Sequence, residues 1–507
     1  MIQHPKNSSF WNSVLLGVLT VVCCYTLQQK IQAERKKRAI QKEYGQDVVE
    51  PPYVSSWIPF LGKAPEMGKD PLQFIRKYSQ KLDTPVFTCL IAGKTCHFIG
   101  DSHFVGIIYD KAKHLEGQSL KIYFFEKIFG IPPEISSKSY ANPEHLKDSQ
   151  ANYRRLLTKE MIEPTVQTAQ DIILQMIQQE FSEDQWTEVA LHEMVFRAIH
   201  KATYTAFVSD AMADPSMLPY FREFDKGIGK AIKGTPKFLL KDFVEGRNKL
   251  LEVLRGEEHK KTVKDFLRSK HESDAKNGIT PEESHAGSLA LSWASLGNTI
   301  PSIFWVIAYM LTDDSLRTAA QKDLERIQLP QGESTTFTLE ELDQMAALDS
   351  AFHEVLRMGA LAVSPRDIKE DIVLEVKSPT QKHRYLLPKG TRIMGNVPTL
   401  HMDPEIYANP YNFQWDRFLK DSNGDMPVFT KDGKRIDAWR PFGGGQQLCP
   451  GRKFAMYECK AYACLLLSML EIRIKPGETV PTINPHNGGV GAIAPEHDVL
   501  VQVRRKK

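Results

Sequence analysis

The residues most able to do chemistry lie together near the carboxyl end, in Pro441-Phe442-Gly443-Gly444-Gly445-Gln446-Gln447-Leu448-Cys449-Pro450-Gly451-Arg452. A glycine-rich turn lets backbone N–H groups approach a sulfur closely. Pro450 suits the first position of a helix, and KFAMYECKAYACLLLSML continues as one. Cys449 therefore stands where a helix dipole and free N–H groups favour a thiolate. That describes a metal-ligating sulfur, and a thiolate is what haem iron takes in O2-splitting enzymes. The spacing of Phe442, Gly445, Cys449 and Gly451, F-x-x-G-x-x-x-C-x-G, is too specific for an inert buried thiol. The seven cysteines form no CxxC pair, and an odd number argues against a disulfide framework and for a reducing compartment.

Other elements must hold that loop in place. Glu354 and Arg357 are three apart and share one helix face. Trp415-Asp416-Arg417-Phe418 brings a second arginine. Ala286 to Thr312 runs without a charge and by length could span a membrane. Ser288, Ser292, Ser295, Asn298, Thr299 and Pro301 interrupt it, so it reads as a long helix buried through a large core. Asn298, in its middle, needs a partner: either neighbouring backbone or a group across a cavity.

Taken together, these segments resemble the cytochrome P450 superfamily. The loop matches its haem-binding loop, Glu354-x-x-Arg357 its K-helix motif, Trp415–Phe418 its PERF-type segment, and the apolar helix its oxygen-binding I helix. The resemblance covers about residues 51–507. It implies a mainly α fold with small β-sheets, heme b ligated by Cys449 and contacted by Phe442, Gly445 and Gly451, and a buried network of Glu354, Arg357 and Arg417. Two arginines on one carboxylate are plausible only as a closed network. WASLGNTIPSIFW, His401-Met402-Asp403-Pro404-Glu405-Ile406-Tyr407 and Pro495-Glu496-His497-Asp498-Val499 resemble the group holding sterol 7α- and 12α-hydroxylases and prostacyclin synthase. Fungal biosynthetic enzymes carry similar haem loops.

Three departures from the family pattern stand out. The I-helix acid and threonine that relay protons are replaced by Gly297 and Asn298, with Thr299 next. Asn298 can orient water or bond an oxygen ligand but cannot supply a proton as an acid does, and Thr299 can substitute where Pro301 unwinds the helix. The arginine two before the cysteine is Gln447, and no C-helix W-x-x-x-R is evident. Arg366 becomes the candidate for a haem propionate, with Arg154 and Arg155 behind it. By the same resemblance, the substrate pocket draws on Tyr123-Phe124-Phe125, on Trp293 and Asn298, on the turn Leu361-Ala362-Val363-Ser364, and on Val490-Gly491-Ala492-Ile493.

The implied activity is monooxygenation of a hydrophobic molecule (sterol, steroid or terpenoid) using O2 and electrons from NADPH through a P450 reductase, with cytochrome b5 as an auxiliary partner. Arg452, Lys453, Lys434 and Arg435 offer a basic docking face. Two other readings use the same loop: a reductase-independent isomerase of a lipid peroxide, and a non-catalytic haem or lipid sensor.

Composition and the amino terminus frame this. With 65 basic and 62 acidic side chains among 507 residues, 42% hydrophobic, the chain is globular and gives no argument for nucleic acid. Phe10–Leu27 carries no charge and is followed by Lys30, Arg35, Lys36, Lys37 and Arg38. It reads as a signal anchor spanning the endoplasmic reticulum membrane, with residues 1–9 lumenal, 28–50 a basic linker, and 51–507 a cytosolic catalytic domain behind a proline elbow. Lys226, Lys230, Lys233, Lys237 and Lys241, interleaved with Ile232, Phe238, Leu239 and Leu240, suit a membrane surface. Strands are expected over 84–100 and 360–400, helices over 145–330 and after 450, and a hairpin in the last thirty residues.

Overall fold

The computed structural model describes residues 27–28, 31–32, 34–110, 113–327, 336–361, 363–377, 382–445, 448–487 and 491–507. The expected anchor, apart from Leu27, lies outside them, as do Gln447, Ala362 and Val490. The helices that matter to the site are α1 (Gln118–Phe124), α2 (Pro143–Arg155), α3 (Lys159–Glu180), α4 (Leu191–Thr203), α5 (Leu218–Ile232), α6 (Lys241–Arg255), α7 (Asp265–Lys276), α8 (Pro281–Gly297), α9 (Thr299–Thr312), α10 (Ala346–Gly359) and α11 (Arg452–Met469). The architecture is mainly helical, with small sheets at the edges, as the sequence implied.

The long apolar stretch is two helices, not one. Pro301 has no N–H to give the Gly297 carbonyl, so the ladder fails one turn before it. Asn298 takes φ −104° and ψ −33° at the junction. The serines that seemed to interrupt the segment bond back along it: Ser292 Oγ donates to the Ser288 carbonyl at 2.8 Å, and Ser302 Oγ to the Asn298 carbonyl at 2.7 Å. Every residue of α9 from Thr299 to Met310 is buried. A helix apolar on all sides belongs in a core, and α9 packs against α4, α10 and α11. Phe304 and Trp305 are sealed there, and each such side chain is worth roughly 1.5–3 kcal/mol on burial.

The largest sheet joins β1 (Tyr53–Val54), β2 (Val86–Ile91), β3 (Lys94–Ile99), β4 (Leu115–Glu116), β5 (Val363–Ile368) and β6 (Arg392–Asn396) in the order β1-β2-β3-β6-β5-β4. The strands expected over 84–100 are β2 and β3, joined by a turn at Ala92-Gly93, both residues at positive φ. Among the described residues, the last thirty do not form a hairpin with one another. Leu500–Arg505 instead pairs antiparallel with Leu470–Ile474 and with Thr187–Ala190. Pro476, Pro481, Pro485 and Pro495 lie between the two carboxyl-terminal strands and cannot donate to a ladder. In the segment expected to be a linker, Val48–Val49 pairs with Arg384–Tyr385.

Candidate active site

The Glu354–Arg357 pair sits at the end of α10, both side chains fully buried. Arg357 grips the carboxylate with Nε and Nη2 at 2.7 and 2.8 Å and donates Nη1 to the His401 carbonyl at 2.7 Å. Arg417 Nε lies 3.1 Å from both carboxylate oxygens, and the Gln414 N–H donates to Oε1 at 3.2 Å. The surplus positive charge faces the Tyr407 ring, 4.9 Å from the Arg357 guanidinium. The three residues named from sequence form one network, in which Arg417 Nη2 is buried without a partner among the described residues.

That network reaches the cysteine loop through two groups, His401 and Trp439, to which no such role was assigned from sequence. His401 Nε2 accepts the Arg440 N–H at 3.0 Å. Burial, with the nearby Arg357 charge, pushes His401 down to about 3, so it remains a neutral acceptor. Trp439 stacks on His353 of α10 at 4.3 Å and donates Nε1 to the His353 carbonyl. Beyond these ties the chain turns sharply: Gly443 and Gly445 both have positive φ, and the Cys449 N–H donates to the Phe442 carbonyl at 3.0 Å. The Gly451 and Arg452 N–H groups face the Cys449 sulfur, and Arg452 Nη1 donates to its carbonyl. Burial raises the Cys449 thiol and outweighs those donors and the Arg452 charge. A stable thiolate here calls for a cation in direct contact with sulfur.

The same region carries two cations, Arg366 and Lys121, with no acidic partner among the described residues. Half-buried Arg366 donates to the Pro365 carbonyl, and burial lowers its pKa. Lys121 of α1 is accessible to solvent, yet desolvation and the Arg366 charge both lower its pKa. Arg440 lies over the Tyr109 ring at 4.7 Å, and that ring packs on Gly444 of the loop. The buried Tyr109 hydroxyl has no partner among the described residues. A thiol needing a metal, beside two cations needing an anion, fits a haem, whose iron and propionates supply both. Arg154 and Arg155 are not part of this cluster. Arg154 is exposed, and Arg155 pairs with Asp265 of α7.

On the broken helix, Trp293 donates Nε1 to Asp225 of α5 at 2.7 Å. Its ring covers Gly297, where a Cβ would come within 3.0 Å of Nε1. Any side chain at 297 would therefore press on the Trp293 ring, which would have to give by a few tenths of an ångström. Ala294 and Asn298, one turn apart, are exposed, whereas Ser292, Leu296 and Thr299 on the same stretch are buried. Asn298 Oδ1 accepts the Ala492 N–H at 2.8 Å. Phe124 is half-buried beside Tyr123, whose hydroxyl donates to the Ile232 carbonyl at the end of α5. Val363 opens β5 opposite Asn396.

Comparison with known proteins agrees with this geometry. A family profile described as Cytochrome P450 matches residues 207–501. Cytochrome P450 7A1 of Sus scrofa is 26% identical, covering 97% of this chain and 99% of its own length. The 7-alpha-hydroxycholest-4-en-3-one 12-alpha-hydroxylase of Oryctolagus cuniculus is 27% identical over 90% of this chain and 93% of its own. Prostacyclin synthase of Bos taurus is 27% identical over 90% and 94%. The solved structure of retinoic acid bound cyanobacterial CYP120A1 shares the fold, with a TM-score of 0.64 at 18% identity over 90% of this chain and 99% of that one. With the profile spanning more than half its length, the chain belongs to the cytochrome P450 family and is a P450 monooxygenase.

Proposed function

We propose that this monooxygenase oxidises a sterol, steroid or terpenoid with O2 and electrons passed from NADPH by a P450 reductase, cytochrome b5 assisting. The observation that carries the reading is the Cys449 sulfur, faced by the Gly451 and Arg452 N–H groups in a glycine turn. Cys449 would hold the haem iron through its sulfur, Phe442, Gly445 and Gly451 would shape its loop, and Arg366 with Lys121 would meet the propionates. When bound, the haem activates O2, and the thiolate's electron donation favours O–O cleavage. One oxygen atom enters the substrate; the other leaves as water with two electrons and two protons.

The chain's own residues bind, orient and exclude water. Trp293, Ala294, Phe124, Val363 and Ala492 line the apolar site. Asn298 holds no acidic proton, so the Thr299 hydroxyl past the helix break is the proton-bearing side chain nearest the family's relay position. The sterol class is supported by the relatives named above. The basic face of Lys434, Arg435 and Lys453, all exposed, suits an acidic electron donor.

The membrane assignment rests on the uncharged segment 10–27 and on exposed apolar side chains. Trp57 is 90% exposed, Phe60 68%, Phe238 70% and Leu239 64%. Lys233 Nζ donates to the Gly68 carbonyl at 3.0 Å and draws the two stretches toward each other. With Lys237 and Lys241 beside them they suit a lipid surface on the endoplasmic reticulum. The test uses membranes holding the protein, a sterol and terpenoid extract and ¹⁸O2, with and without NADPH and reductase, read by mass spectrometry. NADPH-dependent products bearing one heavy oxygen are expected. Isobaric products formed from peroxides without NADPH would overturn the reading.

A further inference from the structure

Residues 491–493 are fastened on three sides. Asn298 Oδ1 accepts the Ala492 N–H at 2.8 Å. Trp305 Nε1 of α9 donates to the Ile493 carbonyl at 2.7 Å, and the Ile493 N–H donates to the Gly359 carbonyl at 3.0 Å. Ala492 forms a β-bridge with Ala360 at the end of α10. Gly491 has φ +77°, and a Cβ there would fall 2.7 Å from Asn298 Oδ1. The contact is close enough to require a glycine, in a conformation that glycine adopts without strain.

We infer that Asn298 is a positioning residue: it latches the 491–493 segment to the break between α8 and α9 and so fixes one wall of the substrate pocket. The logic is one of donors and acceptors. An amide N–H can only donate, so Asn298 must turn its oxygen to the loop, and its NH2 group is what remains for any other partner. Asn298 is therefore committed to a structural bond and holds no basic atom for a proton. The break supplies the geometry. At a junction with φ −104° the side chain leaves the helix in a direction that regular α geometry would not give. Two of the three ties then come from the broken helix, and loss of either loosens a wall otherwise held at Gly359 and Ala360. The inference rests on the reading of 491–493 as pocket wall.

The test uses the full-length holoenzyme as wild type, Asn298→Ala, Asn298→Asp and Gly491→Ala. Hydrogen exchange of the 491–493 segment reads the latch. Titration with 4-phenylimidazole against imidazole reads the wall, since both bind iron but only the former reaches outward. Asn298→Ala and Gly491→Ala are each expected to speed exchange about five- to tenfold, as loss of one hydrogen bond allows. Both should weaken 4-phenylimidazole several-fold relative to imidazole. Asn298→Asp keeps the acceptor and should retain slow exchange. Unchanged exchange in Asn298→Ala overturns the latch. Faster exchange with an unchanged azole ratio overturns the role in the pocket, and with it the reading of 491–493 as wall. A weakened azole ratio in Asn298→Ala but not in Gly491→Ala makes Asn298 a direct contact and overturns the positioning role.

Discussion

A glycine at 297 costs a helix about 1 kcal/mol against alanine, yet a Cβ there would press on the Trp293 ring at 3.0 Å. Gly297→Asp, which restores the residue type common in the family, is expected to lower activity rather than raise it. The new side chain must displace Trp293 from Asp225, and overpacking of this kind costs about 1–3 kcal/mol. Turnover and a thermal midpoint measured together check this; higher turnover at an unchanged midpoint would refute it. A second residue prediction concerns Glu458 on α11. It is buried, bonded to the Thr203 hydroxyl, and burial raises it to about 8. Its proton is held in the fold and released on unfolding, so its stabilising share is complete below about 4.5 and is lost as pH rises through 8. Glu458→Gln keeps the shape without the proton. Urea midpoints at pH 6 and pH 9 should draw closer together in that variant than in the wild type.

At the scale of elements, the site is a set of ties between α10, the cysteine loop and the sheet edge. Removing one partner of a fully buried pair leaves an uncompensated charge, so Glu354→Gln is expected to cost about 3–5 kcal/mol. The preparation should contain mostly haem-free protein, as absorbance spectra would show. Lys121→Met and Arg366→Met act differently. Each should speed haem transfer to apomyoglobin by about tenfold, the equivalent of one charge-assisted bond, without lowering the thermal midpoint of the haem-free chain. A lowered midpoint would mark the cations as structural. This division matches what could be read in advance. Glu354, Arg357, Arg417 and Cys449 were legible because spacing within a helix or turn fixes their geometry. Lys121, Tyr109, His401 and Arg440 were not, because their roles arise where separate segments meet, and one basic or aromatic residue in a polar stretch carries no period. The carboxyl-terminal strands were read as a local hairpin because pairing with Thr187–Ala190 leaves no mark in the local sequence.

For the whole molecule, five histidines set the acid limit. Burial lowers His97, His259 and His271 to about 4, and His200 and His401 to about 3. They stay neutral in the fold, while in the unfolded chain they protonate as pH falls below about 6.5. Stability should therefore fall from pH 6.5 toward 4, by up to about 1.4 kcal/mol per unit for each histidine. Urea midpoints between pH 7 and 5 measure the slope, and a flat profile would refute it. The break at Asn298 bears on motion at this same scale. Before it, α8 packs with α6 and α7, touches α4 and is bonded to α5 through Trp293; after it, α9 is embedded among α4, α10 and α11. An unbroken rod would carry any tilt of the α5–α6 layer straight into the core. A joint at its midpoint decouples the two arms: the outer arm can swing with the layer above while the inner one stands still, as a door leaf turns about a fixed jamb.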